Sequence, residues 1–481
     1  MLFNSFQFVT FFIVTWALFQ ALSGVPRKVL LLGASYYFYM CWSTKYILVI
    51  WVITLIDFAA GRLIERSKLP RLRATFLGLS IFCNLGLLVI FKYFNFLSTS
   101  TAQLLHSVGL NSDPPLLHVI LPVGLSFHTF QAMSYTIDVY KKRAAAERSL
   151  LNYALYVAFF PQMVAGPIER PNQLLPQFHH DPTFRPGRVR SGIKLALWGL
   201  FKKMVIADAL AGFVNLVYAN PRGFSGAELT VATLAFSLQI YCDFSGYSDI
   251  ALGVARMMGY ELRVNFLQPY FSRSIGEFWH RWHISLSTWF RDYMYIPLGG
   301  NRVAVPRHYI NLLVTFLISG LWHGANWTFV IWGGLHGSLL VLSQLTSSAR
   351  ARAIRVLALD RMPKSRATLQ WLSTFTIVTV AWIAFRAKDI HSAWYVVTHL
   401  SILPPFNSFT LALGGIPRAN TPFLALFIVT MFAVEWWIMH PHRTPGIWSC
   451  APVRWACYYG CAFSIVFFGV FGHTDFIYFQ F

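Results

Sequence analysis

Five histidines stand where an apolar chain has least reason to keep one: His128, His280, His283, His323 and His336. Imidazole is the side chain best able to take up and return a proton near neutral pH. An ionisable group inside a bilayer is costly, so its presence there points to function. His323, in "SGLWHGANW", carries the strongest signal. In a helix that starts near Tyr309 it lies about 21 Å along, at 1.5 Å per residue, past the midplane from the inside. Gly320 and Gly324 bracket it, so a substrate or another backbone can approach. The competing reading is a buried histidine bonded to a carbonyl between packed helices. A second histidine cluster weighs against that.

The second cluster is "EFWHRWHISLSTWFRDYMYIPLGGNR", residues 277–302, too polar to cross a bilayer and too aromatic for an ordinary loop. His280 and His283 are three apart and share roughly one helical face. That spacing also occurs in metal sites, but no carboxylate or cysteine completes a ligand set, so no metal is expected. Trp279, Trp282 and Trp289 suit an interfacial helix, with amphipathic rings at headgroup level. Between 256 and 307 stand seven arginines and no lysine: Arg256, Arg263, Arg273, Arg281, Arg291, Arg302 and Arg307. Guanidinium is the preferred group for bidentate phosphate recognition. Such a set would serve a phosphate-bearing cytoplasmic cosubstrate such as a coenzyme A thioester, Arg273, Arg281 and Arg291 with Trp282 being the nearest candidates. Anchoring to lipid headgroups is the alternative for each arginine. "YCDFSGYSDIALG" places Asp243 and Asp249 in an apolar pass, with a helix break possible near Gly246. Paired structural carboxylates, to a histidine or an arginine, are expected there rather than acid/base partners. Asn326 and His336 are supporting candidates beside His323.

The elements that must position these residues are membrane helices. Hydrophobic residues make up 56% of the 481 positions and charged residues 12%, too little charge to cover a soluble surface. Mean hydropathy is +0.52. Apolar runs of about 20 residues fit helical spans and exclude a barrel, whose strands would be about 10 residues and alternating. The fold class is all-α, a polytopic integral membrane protein. The 39 Lys and Arg against 18 Asp and Glu reflect basic cytoplasmic loops rather than a nucleic-acid partner. Six cysteines without a ligand or disulfide spacing read as small hydrophobes.

Basic loops set the topology. Passes are expected near 4–23, 29–42, 46–61, 74–97 and 116–139, with "STSTAQLLHSVGLNSDPP" outside because it has no Lys or Arg. "FFPQMVAGPIERPNQLLPQF" is broken by proline and glycine, so it is expected to re-enter or lie at the interface. Further passes follow near 192–218, 229–255, 308–324, 326–346, 369–386, 421–440 and 452–472. The first of these segments is read as a retained helix, since its first basic residue, Arg27, follows the apolar run. The whole chain, 1–481, is expected to form one membrane domain without a soluble insertion.

Several stretches together resemble the membrane-bound O-acyltransferase family, in its bacterial branch of alginate O-acetylation proteins. Relatives of that branch act on cellulose, peptidoglycan or, by D-alanyl transfer, teichoic acid. The stretches are "LPVGLSFHTFQAMSYTIDVYK", "FFPQMVAGPIERPNQLLPQF", "YCDFSGYSDIALG", the 277–302 segment and "GLWHGANWTFVIWGGLHG", covering residues 120–345 densely. The terminal "FIYFQF" also looks family-like. The resemblance implies a ring of about 11–12 spanning helices plus re-entrant ones, a cytoplasmic donor entrance and a funnel to the outside. It implies that His323 is the catalytic histidine and His283 the second functional position, while His280 falls in a variable slot. It further implies acetyl-CoA as donor with no permanently bound cofactor, a polysaccharide acceptor, an extracytoplasmic acyltransferase partner, and the bacterial inner membrane. Two rivals of other classes are a transporter with His323 and Asp243 as a proton relay, and a non-catalytic scaffold of a secretion complex.

Overall fold

Apolar runs without backbone partners other than their own can only be helices in a bilayer. A computed structural model describes residues 1–481 except 111–112, 165, 403–419, 441–449, 472–475 and 478–481, and among the described residues it contains helices and no strand. Five of the helices are long and apolar enough to cross a membrane: Ile47–Arg66, Pro70–Ser107, Trp327–Leu345, Pro363–Arg386 and Thr421–Ile438. The chain divides into two compact units, one of residues 1–196 with 247–263, the other of residues 197–246 with 264–481.

In the first unit a helix stands at each expected pass, with shifted ends, and two of them, Ile47–Arg66 and Pro70–Ser107, have spanning length. The segment read as an outer loop after residue 97 stays helical as far as Ser107. A π-helical turn at Val89–Tyr93 joins it to the helix from Pro70. Ser and Thr there bond back onto carbonyls of the preceding turn, as Thr99 does to Asn95, so polarity does not end the helix. The next pass starts only at Leu125, not near 116, because Pro122 and the left-handed Gly124 (φ 74°) interrupt it. Buried polar side chains in this unit pair across helices. Asp57 accepts from the Ser80 hydroxyl at 2.5 Å and from Asn84 Nδ2 at 2.8 Å. His128 is buried, its Nδ1 3.1 Å from the Val157 carbonyl, which is the quiet structural role open to any buried histidine. The proline-rich segment forms single turns, Phe160–Met163, Pro171–Leu174 and Leu175–His179, far short of the about 20 residues of a span.

In the second unit, Val305–His323 and Trp327–Leu345 form an antiparallel hairpin turning at Gly324–Asn326. Basic residues, among them Arg302, Arg307, Arg350 and Arg352, stand at the open end of the hairpin. The helix carrying Asp243 runs unbroken from Gly226 to Met257, and the break expected at Gly246 is absent. A Cβ at Gly246 would lie 2.7 Å from the Gly199 carbonyl oxygen, so the glycine serves close helix packing instead. The 277–302 segment folds as two seven-residue helices, Ile275–Arg281 and Ile284–Phe290, followed by a π-helical turn at Arg291–Tyr295. Neither is long enough to cross a bilayer.

Candidate active site

His323 is the last residue of its helix, and Gly324 ends that helix in an extended conformation. The side chain is 3% exposed and lies in a box of rings. Trp322, Trp332 and Phe385 stand around it at 5.0, 5.1 and 5.4 Å, all steeply inclined to the imidazole plane. Edge-to-face contacts of this kind suit the polar edge of one ring against the electron-rich face of another. The bracketing glycines build the box rather than leave room for substrate. A Cβ on Gly320 would collide with the Phe329 carbonyl oxygen and lie 3.2 Å from Gly333 Cα. The two backbones of the hairpin therefore touch at Gly320 and Gly333, and this closeness seats Trp332 on His323. A Cβ on Gly324 would strike the Phe329 ring.

His283 reaches the same box from the other cluster. It precedes the Ile284–Phe290 helix with a left-handed backbone, φ 44° and ψ 54°. Its ring centroid is 6.3 Å from that of His323 and 6.1 Å from Trp322. Phe244 meets it edge-on at 4.7 Å. His283 has no exposed surface, and burial pushes its imidazole down to about 3, so it is neutral near pH 7. Its Nδ1 lies 3.1 Å from the Asn265 side-chain oxygen. Asn265 escaped the sequence reading because an asparagine in "VNFLQPYF" has no spacing relation to a histidine 18 residues on.

The other candidates separate. His280 is exposed and its Nδ1 lies 2.6 Å from the Gly276 carbonyl of its own helix. His336 is fully buried and accepts the indole N–H of Trp279 at Nδ1, 3.3 Å. An indole nitrogen only donates, so the His336 proton sits on Nε2, which has no partner among the described residues. Asn326 caps the Trp327–Leu345 helix, accepting from Thr328 N–H at 3.0 Å and donating to the Lys388 carbonyl at 3.1 Å. It holds the turn beside His323. Asp243 is 2.7 Å from Lys203, which also meets Asp208 at 2.7 Å; all three are buried. The partner is thus a lysine, where a histidine or arginine was expected. Asp243 also accepts the Ile477 N–H at 2.7 Å, and Phe476 packs on Phe244. Of the terminal "FIYFQF", only these two residues lie within the described part, and they back the ring that faces His283.

Trp282 is 1% exposed and packs against Trp382 at 5.0 Å and Phe266 at 5.1 Å. Trp279 is also buried, so neither ring is free to sit among headgroups as expected. Trp382 stacks on Trp332 at 5.5 Å, which continues the aromatic path from the 277–302 segment to His323. Arg281 pairs with Glu277 at 2.8 Å and Arg291 with Asp292 at 2.8 Å, while Arg273 is exposed. Of these three, Arg291 lines a cleft of about 640 Å³ that also takes in His280, His308 and Gln344. The cleft runs between the Ile284–Phe290 and Val305–His323 helices, bounded by Ser319 one turn from His323 and by Phe316 two turns from it. His308 is held in its wall by Tyr295 Oη and Gln344 Oε1, each at 2.9 Å.

Membrane-length helices and a buried pair of histidines define a polytopic membrane protein with a candidate acid–base site. Residues 140–385 match the model of the membrane-bound O-acyltransferase family. The chain is 37% identical over 453 residues to a probable alginate O-acetylase AlgI of Pseudomonas aeruginosa, covering 92% of this chain and 84% of the relative. A probable alginate O-acetylase of Azotobacter vinelandii is 41% identical over 370 residues, 76% and 71% of the two chains. A peptidoglycan O-acetyltransferase of Helicobacter pylori is 34% identical over 429 residues, 82% and 79%. The chain belongs to the membrane-bound O-acyltransferase family and is an O-acyltransferase.

Proposed function

We propose that this enzyme carries an acyl group, acetyl in keeping with its relatives, from cytoplasmic acetyl-CoA across the bacterial inner membrane to O-acetylate an extracytoplasmic polysaccharide. The observation that carries this reading is the buried His283–His323 pair, 6.3 Å between rings, in an aromatic box. His323 acts as general base toward a hydroxyl or briefly holds the acyl group as a nucleophile. His283 positions the donor or polarises its carbonyl. Both histidines belong to one membrane domain spanning the whole chain. The cleft beside Arg291 supports a donor entrance on the side of the basic loops, since a phosphate-bearing thioester needs a cationic mouth and an apolar throat. No large soluble segment stands among the described residues to grip a polymer, which favours relay through an exported acyltransferase partner. A polysaccharide acceptor is favoured by the alginate O-acetylases among the relatives.

The test is His323→Ala in cells and in purified protein supplied with labelled acetyl-CoA. Transfer is expected to fall by at least about 100-fold, the usual scale for an acid–base group. A folded variant that still supports polymer O-acetylation would remove His323 from the chemistry.

A further inference from the structure

Asn265 accepts three hydrogen bonds from the start of the Ile284–Phe290 helix. Its backbone carbonyl accepts the Ile284 N–H at 2.9 Å. Its side-chain oxygen accepts the Ser285 N–H at 3.2 Å and the Ser285 hydroxyl at 3.0 Å. A helix start leaves N–H groups without intrahelical partners, and here a distant asparagine supplies the missing acceptors. The same oxygen lies 3.1 Å from His283 Nδ1. Asn265 is 1% exposed, so water does not compete for these bonds.

This arrangement fixes chemistry as well as backbone. A backbone N–H only donates, so the Asn265 atom facing Ser285 is the carbonyl oxygen and not the amide nitrogen. An unprotonated His283 Nδ1 would set one lone pair against another. We infer that Asn265 is a positioning residue that locks the His283 proton on Nδ1, so that Nε2 faces the reaction as a hydrogen-bond acceptor. The inference rests on the acyl-transfer reading and narrows it. A neutral His283 held this way has no N–H left to polarise a thioester carbonyl. It receives a hydrogen bond from an N–H or O–H group of the bound substrates, which places them against His323. His283 holds a left-handed backbone, φ 44°, at the point where its ring and the start of the helix both meet Asn265.

Nitrogen-15 NMR of histidine-labelled protein in detergent reads the tautomer directly, with His283→Gln assigning the resonances. The expected result is a protonated Nδ1 and an unprotonated Nε2. The reverse pattern overturns the inference, whatever the enzyme acylates. This outcome does not depend on substrate, so it fails separately from the loss of transfer expected of His323→Ala. Asn265→Asp keeps the acceptor oxygen and the tautomer, strengthens His283 as a base, and moves the acidic limb of the pH–rate profile to higher pH. Asn265→Leu removes the acceptor and lowers kcat about 10- to 100-fold, the range for losing a group that orients a histidine from behind. A purely structural asparagine would instead lower folded yield in both variants and leave the pH–rate profile of the folded fraction where it was.

Discussion

Two histidines of the same residue type are put to different uses by what surrounds them. His323 meets rings on three sides, whereas His283 is tied at Nδ1 to Asn265 and sealed from water. Burial lowers the His283 pKa from 6.5 to about 3, which makes the folded protein sensitive to acid. Between those two values the unfolded chain binds a proton that the folded chain refuses. Stability therefore rises with pH across this window, is complete above about 6.5, and is lost as pH falls toward 3. Thermal melts in detergent from pH 7.5 down to pH 4.5 should show a steeper fall for the native protein than for His283→Gln. Equal slopes would mean that His283 is protonated within the fold. At this scale the candidate pair is legible in the sequence. His283 and His323 were both picked out by residue type and motif, and the structure brings their rings together. Asn265 was not, because its link to His283 is made through space and leaves no periodic mark on the chain.

A hairpin of two helices decides whether His323 has its box. Gly320 and Gly333 let the backbones touch, and the ring on the residue before Gly333 then reaches the imidazole. Gly333→Ala would set a methyl into the Phe316 carbonyl and force the helices apart. The expected cost is about 1–3 kcal/mol, as for an overpacked core, with transfer falling further than stability because Trp332 leaves His323. Melting temperature and transfer rate measured on the same preparation check this; full activity at a lowered melting point would detach the hairpin from the chemistry. The glycine pattern by itself allows either a substrate or a second backbone to use the space. It could not choose, because the answer depends on a contact between helices. Element ends were harder still. The Thr99 hydroxyl, bonded back to its own helix, carries a polar stretch on to Ser107 that reads as a loop. Conversely, Gly124 and Pro122 stop a run that reads as a span. Hydropathy reports which side chains tolerate lipid, while local hydrogen bonding and backbone limits decide where a helix ends.

A chain with so few charges puts several of them where they are most costly, and this bears on the stability of the molecule as a whole. Lys203 bridges Asp208 and Asp243, from the π-helical turn Phe201–Ala207, the helix after it and the long Gly226–Met257 helix. Asp243 in turn accepts the backbone of Ile477, so the far end of the chain hangs on this cluster. Next to Ile477, Phe476 supports Phe244, and Phe244 faces His283. Composition identified the membrane class and motif similarity the family, but neither showed that an aspartate in a family motif is matched to a lysine 40 residues earlier. The pattern of charges in loops reports topology, whereas a buried pair reports packing between elements that the sequence does not place side by side. Replacing Lys203 by Met removes the ammonium that meets both buried carboxylates. Loss of one partner of a buried pair costs about 3–5 kcal/mol, enough to lower folded yield sharply. Lys203→Arg keeps the charge and should retain most of the fold, since guanidinium can meet both carboxylates. Size-exclusion profiles and melting curves of the two variants separate these outcomes. If Lys203→Met were as stable as the native protein, the cluster would not be holding the Ile477 backbone, and the support for Phe244 behind His283 would have to come from other contacts such as Phe266.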